Sequence, residues 1–89
     1  MVKMYRILLT GRVHGVGFRS YVESVARNHK FLGTVRNVRE GVEILINDPN
    51  FMGKLDSFPP LSNVENYTVE EIELVGARYK DFRILESDY

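Results

Sequence analysis

Nine consecutive residues, Gly11-Arg12-Val13-His14-Gly15-Val16-Gly17-Phe18-Arg19, concentrate the residue types in this chain that could handle a charged ligand. They join an apolar stretch, Tyr5 to Leu9, to an amphipathic one, Tyr21 to Ala26. Three glycines and two arginines in a strand-to-helix connection suit an anion. Glycine lets the backbone turn through φ > 0 and bring N–H groups close to a ligand, and the first turn of a following helix offers unpaired donors at the positive end of its dipole. Arg19, at the start of that helix, adds a planar, permanently charged fork that matches phosphate oxygens. The same residues also suit a tight connection whose arginines are simply solvated, because glycine-rich turns are common.

Between Gly11 and Arg19 there is no serine, threonine, cysteine, aspartate or lysine. A covalent step through a loop nucleophile is therefore disfavoured, and so is Mg-nucleotide binding, which would need a Gly-Lys-Ser/Thr ending. What remains is to hold and polarise an anion. A phosphoryl group gripped by backbone N–H donors and one guanidinium could be attacked by water, since phosphoryl transfer depends on positioning and charge stabilisation. A neutral polar group would then be needed to hold the water. Asn37 can do this with one donor end and one acceptor end, and asparagine in a strand, where it is depleted, calls for some reason.

The elements that must position these groups follow from periodicity. Met4 to Leu9 reads as a buried strand interrupted by the charge of Arg6. Phe18, Tyr21, Val22, Val25 and Ala26 share one helix face, with Ser20, Glu23, Ser24 and Arg27 opposite. The helix ends near Asn28-His29-Lys30 with no glycine to take a left-handed cap, so Asn28 or Lys30 must tolerate it. Gly33 to Val38 and Val42 to Ile46 form a hairpin through Arg39-Glu40-Gly41, with Val42, Ile44 and Ile46 on one face. Asp48-Pro49 starts a short second helix carrying Phe51, Leu55 and Phe58, weakened by Gly53 and closed by Pro59-Pro60. A fourth strand lies between Val64 and Leu74 with Glu65, Glu70, Glu71 and Glu73 as a solvated sheet edge. Phe82, Ile84 and Leu85 form a last short strand after a turn at Gly76. The order β-α-β-β-α-β specifies an α+β, ferredoxin-like sandwich, an antiparallel sheet with two helices on one face.

Bulk properties narrow the function classes. Eighty-nine residues support one small domain, here 1–89, with a modest core. Twelve basic and twelve acidic side chains balance, which gives no electrostatic footprint for nucleic acid or an anionic membrane. With no cysteine, disulfides, thiol catalysis and thiolate metal sites are excluded. The start, from Met1 to Arg6, carries a charge inside a short apolar run and lacks a cleavage site, so no signal peptide is expected and a cytoplasmic location is the default.

Gly11 to Arg19, followed by Gly33-Thr34-Val35-Arg36-Asn37-Val38 and Gly41-Val42-Glu43, resembles the acylphosphatase family, whose signatures are G-R-V-Q-G-V-G-F-R and G-x-V-x-N with a glycine-turned hairpin after it. The resemblance covers nearly the whole chain in element order. It implies hydrolysis of the carboxyl-phosphate anhydride of small acyl phosphates to a carboxylate and inorganic phosphate, by direct water attack without metal, cofactor or covalent intermediate. Carried over by position, the amides of Gly15, Val16, Gly17, Phe18 and Arg19 with the Arg19 side chain would bind the phosphate. Asn37 would orient the attacking water, and a phosphate oxygen would take its proton. The expected partner is a small acyl phosphate, with no nucleic acid, no membrane and a monomeric state. Related acylphosphatase-like domains occur in carbamoyl-transfer maturation proteins, whose further chemistry is not expected of this chain.

Departures from the family pattern are His14 for a usual glutamine, Lys30 for a glycine at the helix end, Thr34 for a frequent aromatic, and a shortened segment from Asn47 to Pro60. Blander roles stand beside the chemical ones. Arg19 could pair with Glu23 one turn on, an arrangement worth about 0.2–0.5 kcal/mol. Arg12 could hold a carboxylate product or close the loop but better fits a structural role at the loop base, His14 a partly exposed loop position, His29 a helix-end cation, and Phe18 and Tyr21 the core. The competing function is a non-catalytic ferredoxin-like module that binds a phosphorylated ligand or partner without turning it over. RNA binding is a weaker third reading, for want of a basic stripe or a strand-borne stacking pattern.

Overall fold

The computed structural model describes residues 2–76 and 79–88; Met1, where the N-terminal run begins, lies outside them. Strand β1 (Val2–Arg12) leads through the glycine loop into helix α1 (Phe18–Asn28). Strands β2 (Gly33–Val38) and β3 (Gly41–Ile46) follow, then a 3₁₀ helix (Pro49–Lys54), β4 (Asn63–Leu74) and β5 (Phe82–Ile84). The five strands form one sheet in the order β4-β1-β3-β2-β5. The α+β ferredoxin-like arrangement expected from the element order is what forms. One pairing differs in sense: β1 with β3, β1 with β4 and β2 with β3 are antiparallel, but β5 joins the free edge of β2 in parallel, so the sheet is mixed.

The core lies between one face of the sheet and the two helices. Ile7 and Leu9 of β1, Val35 of β2, and Val42, Ile44 and Ile46 of β3 meet Phe18, Val22 and Ala26 of α1 and Phe51 and Leu55 of the second helical segment. Burying one such aliphatic or aromatic side chain contributes about 1.5–3 kcal/mol, so these positions fix the strand register on which the site depends. The second helical segment is a single 3₁₀ stretch of six residues. Asp48 caps it as expected, its carboxylate accepting from the Asn50 N–H at 2.9 Å. Phe51 is fully buried between Phe31 and Phe82, whereas Phe58 lies beyond the segment and stacks on Phe18.

The end of α1 meets its missing glycine directly. Lys30 has φ 61°, the only positive value outside glycine among the described residues. The Phe31 N–H reaches back to the Ala26 carbonyl at 2.8 Å and the Lys30 N–H to that of Arg27 at 3.2 Å. Those two bonds make a Schellman cap with lysine in the left-handed slot, where a Cβ costs energy that glycine avoids. Strand β4 forms one edge of the sheet, and its glutamates 65, 70, 71 and 73 are exposed along it, in keeping with a charged edge that resists pairing between molecules.

Candidate active site

The loop that leaves β1 is shaped by two left-handed glycines, Gly15 at φ 68° and Gly17 at φ 79°. A Cβ at either would meet open space, so conformation rather than room requires glycine there. Gly17 is also the N-cap of α1; no side chain caps the helix, and its first turn has no acidic residue. Among the described residues no acceptor receives the amides of Gly15 to Ser20. Most helices fill this position with serine, threonine or aspartate; here the donors are left for something else.

They border a cleft of about 80 Å³, the size class of a few water molecules, lined by Val13, Gly15, Gly17, Phe18, Arg19, Ser20 and Asn37. Arg19 is partly buried and takes part in no ion pair or side-chain hydrogen bond among the described residues. The pairing with Glu23 does not form, because Glu23 faces Arg27 at 3.5 Å instead. Val16 does not line the cleft; its side chain packs against the core. Ser20, which periodicity assigns to the polar face of α1, lines the cleft as the third helical residue and can offer both its hydroxyl and its N–H.

Asn37 reaches the same cleft from a strand eighteen positions beyond Arg19 in number. It stands opposite Val42 on the face of the sheet that meets the helices, at the hairpin end of β2. It is 6% exposed, and its Oδ1 is buried with no hydrogen-bond partner among the described residues. Leaving a buried acceptor unsatisfied costs about 1–3 kcal/mol, which makes this atom the most conspicuous polar group of the fold.

Three sets of contacts hold the Asn37 strand. The chain beyond β5 runs beside β2, where the Asp88 N–H donates to the Asn37 carbonyl at 2.9 Å and Asp88 pairs with Arg36 at 3.5 Å. On the opposite face of the sheet, Glu43 of β3 accepts from Arg6 of β1 at 2.6 Å and from Arg36 of β2 at 2.8 Å, clasping three strands. Burial pushes the Glu43 carboxyl up, but the two guanidinium bonds outweigh it and hold the group below its ordinary value. Arg6, the charge that interrupts the apolar run of β1, is thereby accounted for. The third contact is a hydrogen bond at 2.7 Å between His14 Nε2 and the Gly41 carbonyl, from the loop to the hairpin. Arg12 is exposed and makes no side-chain hydrogen bond or ion pair among the described residues, so the loop base is held without it.

The cleft thus brings together Gly15, Gly17, Phe18, Arg19 and Asn37 of the residues singled out in the two sequence motifs, while Val16 is not among its lining. A larger cleft of about 340 Å³ opens on the other side of the sheet, but its lining of Arg6, Arg36, Arg39, Glu40, Glu43 and Asp88 is already engaged in the clasp or balanced in charge. The acylphosphatase family matches residues 5–84. Acylphosphatase from Staphylococcus aureus is 38% identical over 79 residues, covering 82% of this chain and 88% of that one. The crystal structure of acylphosphatase from Bacillus subtilis superposes with a TM-score of 0.79 at 34% identity, covering 94% of this chain and 99% of that one. Full-length HypF, in a phosphate- and nucleotide-bound form, gives a TM-score of 0.82 at 29% identity, with 99% of this chain matched to 12% of that one. Family match, identity over most of both chains and shared architecture converge: the chain belongs to the acylphosphatase family.

Proposed function

We propose that the cleft binds the phosphoryl group of a small acyl phosphate and that water held by Asn37 cleaves it to a carboxylate and inorganic phosphate. The observation that carries this reading is the orphaned Asn37 Oδ1 beside the undonated loop amides. At neutral pH a phosphate presents acceptors, so a second acceptor in its pocket is satisfied only if something with an O–H stands between them. Water meets that requirement, hydrogen-bonding to the Asn37 amide at the cleft and turning a lone pair toward phosphorus. A module that merely captured a phosphorylated ligand would gain nothing from this atom, which favours catalysis over the non-catalytic alternative.

In the chemistry, the amides of Gly15 to Arg19 and the Arg19 guanidinium hold the equatorial oxygens, where charge accumulates in the transition state. The water oxygen forms a bond to phosphorus as the bond from phosphorus to the acyl oxygen breaks. The electron pair leaves with the carboxylate, a weak base that needs no proton from an acid, and the water proton passes to a phosphate oxygen. Neither a side-chain base nor a metal is called for. In the same reading the protein is a cytoplasmic monomer acting on a diffusible substrate without a nucleic-acid partner, in keeping with its balanced charge; no helix among the described residues is long and apolar enough to cross a membrane.

The test is phosphate release from benzoyl phosphate in the presence of chelator. Arg19→Ala is expected to lower kcat/KM by about 10²–10³-fold, the loss typical of removing one charge-stabilising donor. Activity retained in Arg19→Ala refutes the proposal.

A further inference from the structure

We propose that His14 is a positioning residue, whose side chain ties the phosphate loop to the β2–β3 hairpin and so sets the distance between the bound phosphorus and the water held by Asn37. The inference rests on the reading of the cleft given above and goes beyond it, because His14 does not line the cleft at all.

The geometry supplies both ends of the tether. His14 sits one residue before Gly15, the first glycine of the loop that borders the cleft. Its Nε2 lies 2.7 Å from the Gly41 carbonyl oxygen. A carbonyl can only accept, so Nε2 carries the proton. Gly41 stands opposite Val38 in the hairpin, and the next register pair is Asn37 with Val42. One hydrogen bond therefore connects the residue beside the amide cradle to the rung beside Asn37.

Gly41 also sits directly against the strand that launches the loop, opposite Thr10. A Cβ there would collide with the carbonyl oxygen of Leu9 in β1, so any other residue would force β3 away from β1 and carry the tether point with it. Among the described residues the loop has no hydrogen-bonded turn of its own to fix it. The His14 bond is consequently a principal constraint on the separation between cradle and Asn37. That separation decides turnover, because displacing a reacting group by about 1 Å costs up to 10²-fold in rate. Phosphate affinity, in contrast, comes from the amides and Arg19, which do not need Asn37.

A glutamine places an N–H donor the same number of bonds from Cα as histidine Nε2 and can make the same bond; alanine cannot. The experiment compares wild type, His14→Ala, His14→Gln, Asn37→Ala and the double variant His14→Ala/Asn37→Ala, using benzoyl phosphate turnover and competitive inhibition by inorganic phosphate. His14→Ala is expected to lower kcat by about tenfold while its inhibition constant for phosphate stays within about threefold of wild type. His14→Gln restores kcat. With Asn37 already removed, His14→Ala costs nothing further, the non-additivity expected of residues that act as a unit. Losses that multiply in the double variant, an unchanged kcat in His14→Ala, or a His14→Gln protein no better than His14→Ala each overturn the tether. Wild type that releases no phosphate overturns the reading of the cleft and the tether with it, which separates the two failures.

Discussion

Replacing Asn37 by leucine should make the protein more stable and nearly inactive at once. The substitution keeps the γ-branched outline of the side chain but removes its polar atoms. Asn37 is 6% exposed and its Oδ1 has no partner among the described residues, so the native fold bears the desolvation of a buried acceptor, about 1–3 kcal/mol. Leucine relieves that cost and has the better strand propensity, while the two methyl groups are somewhat bulkier than the amide and give back part of the gain. The backbone bonds on both sides, to Val42 through the β-ladder and from the Asp88 N–H, do not depend on the side chain. A net gain of about 1 kcal/mol corresponds to a Tm rise of roughly 4–8 °C in a domain of this size. Turnover of benzoyl phosphate should fall by about 10²-fold or more, since leucine cannot hold the water that the Asn37 amide positions in the cleft. Calorimetry and a phosphate-release assay on one preparation measure both quantities. A protein destabilised by more than about 1 kcal/mol would show that the amide is satisfied, and activity within a few-fold of wild type would show that it does not handle the water; either result refutes the reasoning.

Other outcomes follow from separate parts of the fold. Lys30→Gly removes the Cβ from the left-handed slot of the Schellman cap and should stabilise the protein by about 1 kcal/mol, read as a higher denaturant midpoint at unchanged m. Glu43, held below its ordinary pKa by Arg6 and Arg36, contributes stability that is present above its unfolded value near 4.5 and lost as pH falls through its lower folded value. Unfolding free energies measured from pH 7 down to pH 3 should therefore decline on the acid side, and Glu43→Gln should flatten that part of the decline while lowering stability at pH 7, where it leaves Arg6 and Arg36 without their shared carboxylate. Phe51→Ala, which empties a fully buried site between Phe31 and Phe82, should cost about 3–5 kcal/mol by denaturation and unfold the domain well before it alters the cleft.

The loop, the helix face and the hairpin were legible in the residues because each is a local pattern: glycines at a strand-helix junction, apolar positions at helical spacing, alternation in Val42, Ile44 and Ile46. The need for Asn28 or Lys30 to turn left-handed could also be read locally, from a helix that ends without glycine, and Lys30 takes it. What escaped depends on register. Arg6, Arg36 and Glu43 look like three unrelated strand charges until β1, β3 and β2 are aligned side by side. The tether from His14 to Gly41 and the contact of Asp88 with Asn37 join segments whose distance in sequence hides their adjacency. Periodicity places Ser20 opposite the apolar face of α1 because it reports what a helix buries, not what its first turn borders. The parallel seat of β5 on β2 has no local signature at all, since strand direction is set by where the chain crosses the sheet.

The partnership of β1 with β4 also governs how the molecule comes into being. Thr10 and Asn66 touch across a separation of 56 residues, and the whole of β4 pairs with the first strand rather than with a neighbour in sequence. Closing so long a loop must precede any reward from the pairing, which slows folding relative to a helical bundle of the same size. During that wait β4 is an unpaired ribbon of twelve residues, the kind of segment that recruits other chains. Its run of glutamates then acts as a built-in chaperone in covalent form, repelling strangers until β1 arrives.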